Sequence, residues 1–304
     1  MRSLHDNLGI PAEILLQKTG AVFPQTIPSI KWDLFPLKEM SKRGWIKPLG
    51  KLKDSAEESM RSFINDCCPG AETIKACFRE NSGNRLNSKT DLYALNAWCM
   101  RVMSLTYKKP LLKKFNQESF TPGSLTEIAK LSFFESGPLL AQEFLEKHGI
   151  YLIIERNLPK TYLDGAAFVL DDATPVVGLT LRYDRVDNFW FCLLHELAHI
   201  ILHLGKNNHR LFVDDMDVRT PEDKKKKNIE KEADTLAMES LIPDEIWTSS
   251  TAKKNPTRKN VLELSEELRV HPACIAGRIR FERNNFKLLS RFIGSGKIRK
   301  LFTA

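Results

Sequence analysis

Phe189-Trp190-Phe191-Cys192-Leu193-Leu194-His195-Glu196-Leu197-Ala198-His199-Ile200-Ile201-Leu202-His203 is the stretch on which the reading of this chain turns. It is apolar apart from a few positions, and so predicts a buried helix that carries His195, Glu196 and His199. Residues four apart on a helix lie on one face, one turn from each other. Two imidazoles so placed can reach one metal ion at about 2.0–2.1 Å. Glu196 follows the first of them and is placed to take a proton from water at that metal. Burying two histidines and a glutamate without partners is costly, and a metal ion removes that cost. The plainer alternative is a pair of hydrogen-bonded core histidines and a salt-bridged glutamate.

A catalytic zinc site needs a third protein ligand and an open position. His203 continues the same row, but a straight helix cannot converge three such side chains on one ion. The glycine turn and later histidine of the metzincin pattern are missing. A second helix must supply the ligand, and Ile229-Glu230-Lys231-Glu232-Ala233-Asp234-Thr235-Leu236-Ala237 offers two candidates. Helical geometry favours Glu230, which projects among Ala233, Ala237 and Leu241 on the apolar stripe. Asp234 lies one turn on, placed to hydrogen-bond a ligating histidine. Glu232, on the other edge of the stripe, is the alternative. The expectation is a gluzincin-like zinc metallopeptidase, with His195, His199 and Glu230 on Zn2+ and Glu196 as catalytic base. His/His/Glu sites also admit manganese or iron. Contacts to the oxyanion or substrate fall, by proximity in sequence alone, to His203, Tyr183, Arg182 or His209.

Outward from this helix, expected at about 187–204 and stopped by Gly205, strand signals lie upstream. They are Tyr151 to Ile154, then Ala166 to Leu170 and Val176 to Leu181 around the turn residues 171–175. One strand of that hairpin is the expected partner for an extended substrate by strand addition. Downstream come a polar loop over about 206–227, including the lysine run Lys224 to Lys227, and a second helix from about 228 to 241, before Pro243. Residues 51–148 carry helical signals. Ser88 precedes a stripe of Leu92, Leu95, Cys99, Val102 and Met103; Ser124 to Glu127 fits a capping box; Pro138 suits a helix start and Gly149 a stop. Residues 18–50, rich in Pro, Gly and aromatics, predict an irregular or short-helix connector that packs on something. The fold class is α+β: a helical N-terminal half, then a zincin-like domain with a small sheet and two ligand-bearing helices, then a helical tail. The expected divisions are 1–17, 18–123, 124–250 and 251–304.

Length and composition agree with a soluble globular protein: 304 residues, 42% hydrophobic and 28% charged. No apolar run is long enough for a membrane span, and the N-terminus lacks a signal peptide. A cytoplasmic protein without membrane association is expected. The six cysteines form no matched C-x-x-C pairs, so free buried thiols are expected, not a cysteine zinc site. The net charge of +8 permits nucleic acid or an acidic partner without establishing either. The tail has a helix, a turn and a basic helix with Arg278, Arg280, Arg283, Lys287 and Arg291. That outline is open to DNA, but Cys274, Ile275 and Ile279 read as packing residues. A structural cap, a homodimer face or a substrate surface is the expected use.

His195-Glu196-Leu197-Ala198-His199 and IEKEADTLAMESLIP, residues 229–243, resemble the two motifs of the ImmA/IrrE family of metallopeptidases. The resemblance implies a zinc peptidase that cuts a helix-turn-helix repressor. It carries over to His195, Glu196, His199 and a glutamate of the second motif. LPKTYLDGAAF, PVVGLTLRYDRVDNFWF and HPACIAGRIRFERNNFKLLSRFIG are similar to HigA-like, XRE-type antitoxin regulators fused to such a domain. Arg2 to Gln17 resembles only the last helix and exit of the XRE helix-turn-helix of those fusions. The recognition helix is not among these residues, so DNA binding is in doubt. A truncated or mis-started form of a longer DNA-binding protein is one expectation, and a simple packing helix at 1–17 is the other.

Two functions of different class follow. One is an endopeptidase acting on a repressor or antitoxin in transcriptional or stress regulation. The other is an antitoxin or transcription regulator that acts by protein or DNA binding, with a structural or sensory metal site. Glu196→Gln separates them, because only the first needs that carboxylate for its effect.

Overall fold

The computed structural model describes residues 31–47, 50–67, 89–170, 172–203, 211–214 and 224–302. The reading of 1–17 as a helix-turn-helix remnant, Ser88, Gly205 and His209 lie outside them. The fold is α+β, built on one four-stranded sheet of order β1-β3-β2-β4. Its strands are β1 (Tyr151–Ile154), β2 (Gly165–Val169), β3 (Pro175–Leu179) and β4 (Leu211–Asp214). β1 runs parallel to β3; β2 pairs antiparallel with both β3 and β4. The hairpin is therefore interior. Each of its strands is paired on both sides, and the expected strand addition to it has no free edge to use. β4 falls in the stretch expected to be a polar loop; four residues, Leu211-Phe212-Val213-Asp214, are too few for a period-two signal to stand out.

Alternation along the strands divides the interior into two cores. Ala166, Phe168 and Val176 face the N-terminal helices, while Ala167, Val177 and Leu179 face the C-terminal ones. On the first side lie α1 (Leu37–Lys42), α2 (Ala56–Cys67) and α3 (Leu92–Thr106). The connector's Phe35 and Trp45 pack into the same core. Asp91 caps α3, its carboxylate accepting from the Tyr93 and Ala94 N–H groups at 3.0 and 3.1 Å. Cys67, Cys99, Cys192 and Cys274 are buried; burial pushes the Cys67 thiol up to about 12.

On the second side lie α4 (Pro122–Leu131), α5 (Gly137–Lys147), α6 (Val186–Leu202) and α7 (Lys224–Leu241). α4 starts at Pro122, and its box uses Thr121 and Ser124, whose hydroxyl accepts from the Thr121 N–H at 3.2 Å. The expected box at Ser124 thus lies one turn too late; proline at the first helical position made the earlier start available. α7 begins four residues before its expected start and takes in the lysine run, since lysine is a good helix former.

Downstream are α8 (Asp244–Ser249), α9 (Thr251–Lys254), α10 (Arg258–Leu268), α11 (Pro272–Glu282) and α12 (Arg299–Phe302). α11 packs against α6, and Cys274, Ile275 and Ile279 enter the α6-side core. Several basic groups of the tail are tied inward. Arg278 donates to the Ile242 carbonyl at 2.7 Å and pairs with Asp244 and Glu282. Arg280 is buried and donates to the Phe286 carbonyl. The tail also splints the loop that enters α6: the Val186 N–H donates to the Ile293 carbonyl at 2.9 Å. The Asp184 carboxylate accepts from the Ile298 and Arg299 N–H groups at 3.0 and 3.1 Å. No described helix is long and apolar enough to cross a membrane.

Candidate metal centre

α6 is apolar around most of its circumference, as a helix wedged between a sheet and other helices must be. Three of its polar residues, His195, Glu196 and His199, occupy two adjoining sectors. His195 and His199, one turn apart, face α7. Glu196, about 100° further round, faces β2. All three have 0% exposure.

α7 answers the histidine sector. Ala233 and Ala237 are fully buried, and their small side chains let the two helices approach closely. That approach brings the Glu230 carboxylate onto the histidine pair. His195 Nε2 and His199 Nε2 lie 3.0 Å apart. Glu230 Oε2 lies 3.4 Å from the first and 3.7 Å from the second. His195, His199 and Glu230 form a buried group whose ligand atoms all lie within 4.8 Å of one another.

This donor set fits a metal ion. Four ligands at about 2.0–2.1 Å in a tetrahedron stand about 3.3–3.4 Å apart, by simple geometry. The three observed separations, 3.0, 3.4 and 3.7 Å, straddle that edge. Two imidazole nitrogens cannot face each other so closely with both lone pairs bare; a proton or a cation belongs between them. Three protein donors leave a fourth tetrahedral position for water or substrate.

The remaining sequence candidates have distinct places. Asp234 Oδ1 is 3.0 Å from His195 Nδ1, the ring nitrogen turned away from the His195–His199 contact. Glu232 lies elsewhere: its side chain is 58% exposed and 3.7 Å from His203 Nε2. His203 follows α6 with its Nε2 3.2 Å from the Ile229 carbonyl, so it ties the end of α6 to α7. Burial lowers the His203 pKa, which favours the neutral ring that such a contact uses. Arg182 donates to the Tyr162 carbonyl at 2.9 Å and lies 3.7 Å from the buried Asp164 carboxylate. Its guanidinium also covers the Tyr183 ring at 5.0 Å. Arg182 and Tyr183 thus stand together in the loop between β3 and α6.

The other end of α6 is anchored as well. Arg185 grips Asp187, in the first turn, through two hydrogen bonds of 3.0 and 3.2 Å. Burial nevertheless raises the Asp187 pKa, against the pull of Arg185.

One residue of the site escaped the sequence reading. A Cβ built on Gly165 would lie 2.3 Å from Glu196 Oε1 and 3.0 Å from its Cδ and Cγ. A glycine beginning a strand is a sign of close approach by another group, though it does not say which.

Residues 145–280 match the Peptidase_M78 family, an IrrE N-terminal-like domain. The match runs from the end of α5 through both motif helices to α11 and agrees with the ImmA/IrrE resemblance of the two motifs. No curated protein matches the chain. A peptidase-family domain with a buried His/His/Glu group points to a metallopeptidase.

Proposed function

We propose that this chain is a zinc-dependent endopeptidase that hydrolyses a peptide bond in a protein partner, a helix-turn-helix repressor or antitoxin. The observation that carries the reaction is the convergence of His195, His199 and Glu230 beside a wholly buried Glu196 on the same helix. The partner rests on the motif resemblance to repressor-cutting peptidases.

His195, His199 and Glu230 would hold the ion. Bound there, zinc polarises a carbonyl oxygen and makes water easier to deprotonate near neutral pH. The chain's own residues supply the rest. Glu196 takes the proton of the attacking water and returns it to the leaving amine. Asp234 fixes the ring of His195, so that the ligand keeps one orientation through turnover. His203 serves the architecture by locking α6 to α7. Arg182 and Tyr183 remain the candidates for contact with the substrate carbonyl, and Arg182→Ala tests the first.

The experiment joins metal content to cleavage. The purified chain of residues 1–304 should hold about one zinc, which His195→Ala loses. Zinc at about a hundredfold above its dissociation constant should stabilise the wild type by about 2.7 kcal/mol. The loaded protein is then incubated with a panel of helix-turn-helix repressors from the same cell, and fragments are read by mass spectrometry. Glu196→Gln should keep the metal and lose cleavage by at least about a hundredfold. Equal cleavage by Glu196→Gln would sink the assigned role. Stoichiometric zinc with no repressor cut would instead favour a regulator that acts by binding.

A further inference from the structure

Gly165 is the opening residue of an interior strand, and its empty side is filled by the carboxylate of Glu196. We infer that Gly165 is a positioning residue: the methyl group it lacks is the space in which the proposed base sits. The inference rests on Glu196 being that base, but its structural part can be tested apart from any activity.

The geometry leaves little else to yield. Three atoms of the Glu196 side chain lie within 3.0 Å of the site of a Cβ at residue 165, against an ordinary contact of about 3.4–4 Å. The strand cannot retreat. Gly165 pairs with Leu179 on one side and Asp214 on the other. The residue before it is pinned too, the Asp164 carbonyl accepting from the Thr180 N–H at 3.0 Å. Nor can α6 lift away, since the tail splints its entry and His203 ties its end to α7. The flexible part is the Glu196 side chain. Glu196 is 0% exposed, so displacing it pushes the carboxylate from a packed position into its neighbours.

The same face of β2 shows a gradation. Gly165 and Ala167, two residues apart, point toward α6, while Ala166 and Phe168 point to the other core. Small residues under the histidine-bearing helix let it ride close to the sheet. At Gly165 the approach is close enough for a carboxylate and too close for a methyl group. Glycine in a sheet often marks a place where another group approaches the backbone closely, and here that group is the Glu196 carboxylate.

The test is a double-mutant cycle on the full metal-free chain: wild type, Gly165→Ala, Glu196→Ala and both together. Gly165→Ala alone should lower the melting temperature by about 3–10 °C, the scale of overpacking in a chain this size. In the Glu196→Ala background, the same change should be neutral or should raise it, because the clash is gone and alanine suits a strand better. Additive effects would overturn the inference. If Gly165→Ala does not fold, adding Glu196→Asp, which shortens the side chain by one methylene, should restore folding; failure of that rescue overturns it equally.

A second readout reports position. With cobalt in place of zinc, Gly165→Ala should bind one equivalent within about threefold of the wild-type affinity. Its visible spectrum should move toward that of Glu196→Ala, and an unmoved wild-type spectrum overturns the positioning role. Should the wild type cut no peptide at all, the peptidase reading fails while the cycle still decides the seat.

Discussion

The sheet has two faces, and each carries one helix pressed against a glycine. On the N-terminal side α3 sets Trp98 over Gly178, where a Cβ would come 2.8 Å from the indole Cη2. On the other side α6 sets Glu196 over Gly165 at 2.3 Å. The device is the same, a missing side chain that lets a helix approach a strand. The contents differ. Trp98 is fully buried in an apolar core, with its one polar group satisfied by the Glu155 carbonyl at 2.9 Å. α6 buries two imidazoles and a carboxylate at the same depth. An apolar helix needs nothing more than shape to stay there. A polar one needs partners, and α7 brings Glu230 and Asp234 to the histidines. One face therefore holds the fold together, while the other holds chemistry that the fold must sustain.

That contrast can be broken most severely from the apolar side. Trp98→Ala should cost about 3–5 kcal/mol of stability, measured by urea unfolding, while a folded sample still binds one zinc. Loss of metal affinity in folded Trp98→Ala would show that the two faces are coupled through the sheet. On the polar side the expectation reverses. Asp234→Asn should leave unfolding nearly unchanged but weaken zinc binding about 10–100-fold in competition with a chelator. An unchanged affinity would remove Asp234 from the metal centre.

The smallest effect concerns the outer layer behind α6. His271 caps α11, its Nδ1 accepting from the Ala273 N–H at 3.0 Å. Burial, helped by Lys297, lowers its pKa to about 4, from about 6.5 in an unfolded chain. The folded state therefore binds fewer protons than the unfolded state in that window. Stability is fully present above about pH 6.5 and is lost as the pH falls through about 4. The ring is only partly buried, so about 1–2 kcal/mol is expected after allowance for solvent screening. His271→Asn keeps an acceptor at the cap and removes the titration. Its metal-free urea midpoint should fall less than that of the wild type between pH 7 and pH 4.5; parallel losses would rule His271 out as a source.

Much of this was legible from the chain. His195, Glu196 and His199 announce themselves by spacing within an apolar helix, because helical geometry is local and repeats every 3.6 residues. The hairpin strands were visible for a like reason, being two short apolar runs on either side of a cluster of turn residues, which neighbouring residues alone reveal. The stripe of Ala233, Ala237 and Leu241 directed attention to Glu230. Three things were hidden. β4 is too short to show a period, and it is a strand only because β2 offers it an edge. The hairpin's lack of a free edge depends on β1 and β4, which pair from distant parts of the chain. The tail's arginines look available in sequence, yet Arg278 and Arg280 are spent on carbonyls and carboxylates that only the fold brings near.

What the sequence by itself determined is the inventory and its local order: which side chains offer metal-binding atoms, which helix carries them, and where the proposed base stands on it. Only the tertiary structure decided which of two nearby glutamates meets the histidines. That choice depends on how close α7 lies to α6 and at what rotation, set by packing between elements about 30 residues apart. Gly165 belongs to the same class. A glycine has no side chain by which a sequence could reveal its neighbour, and its importance is the distance from its backbone to Glu196.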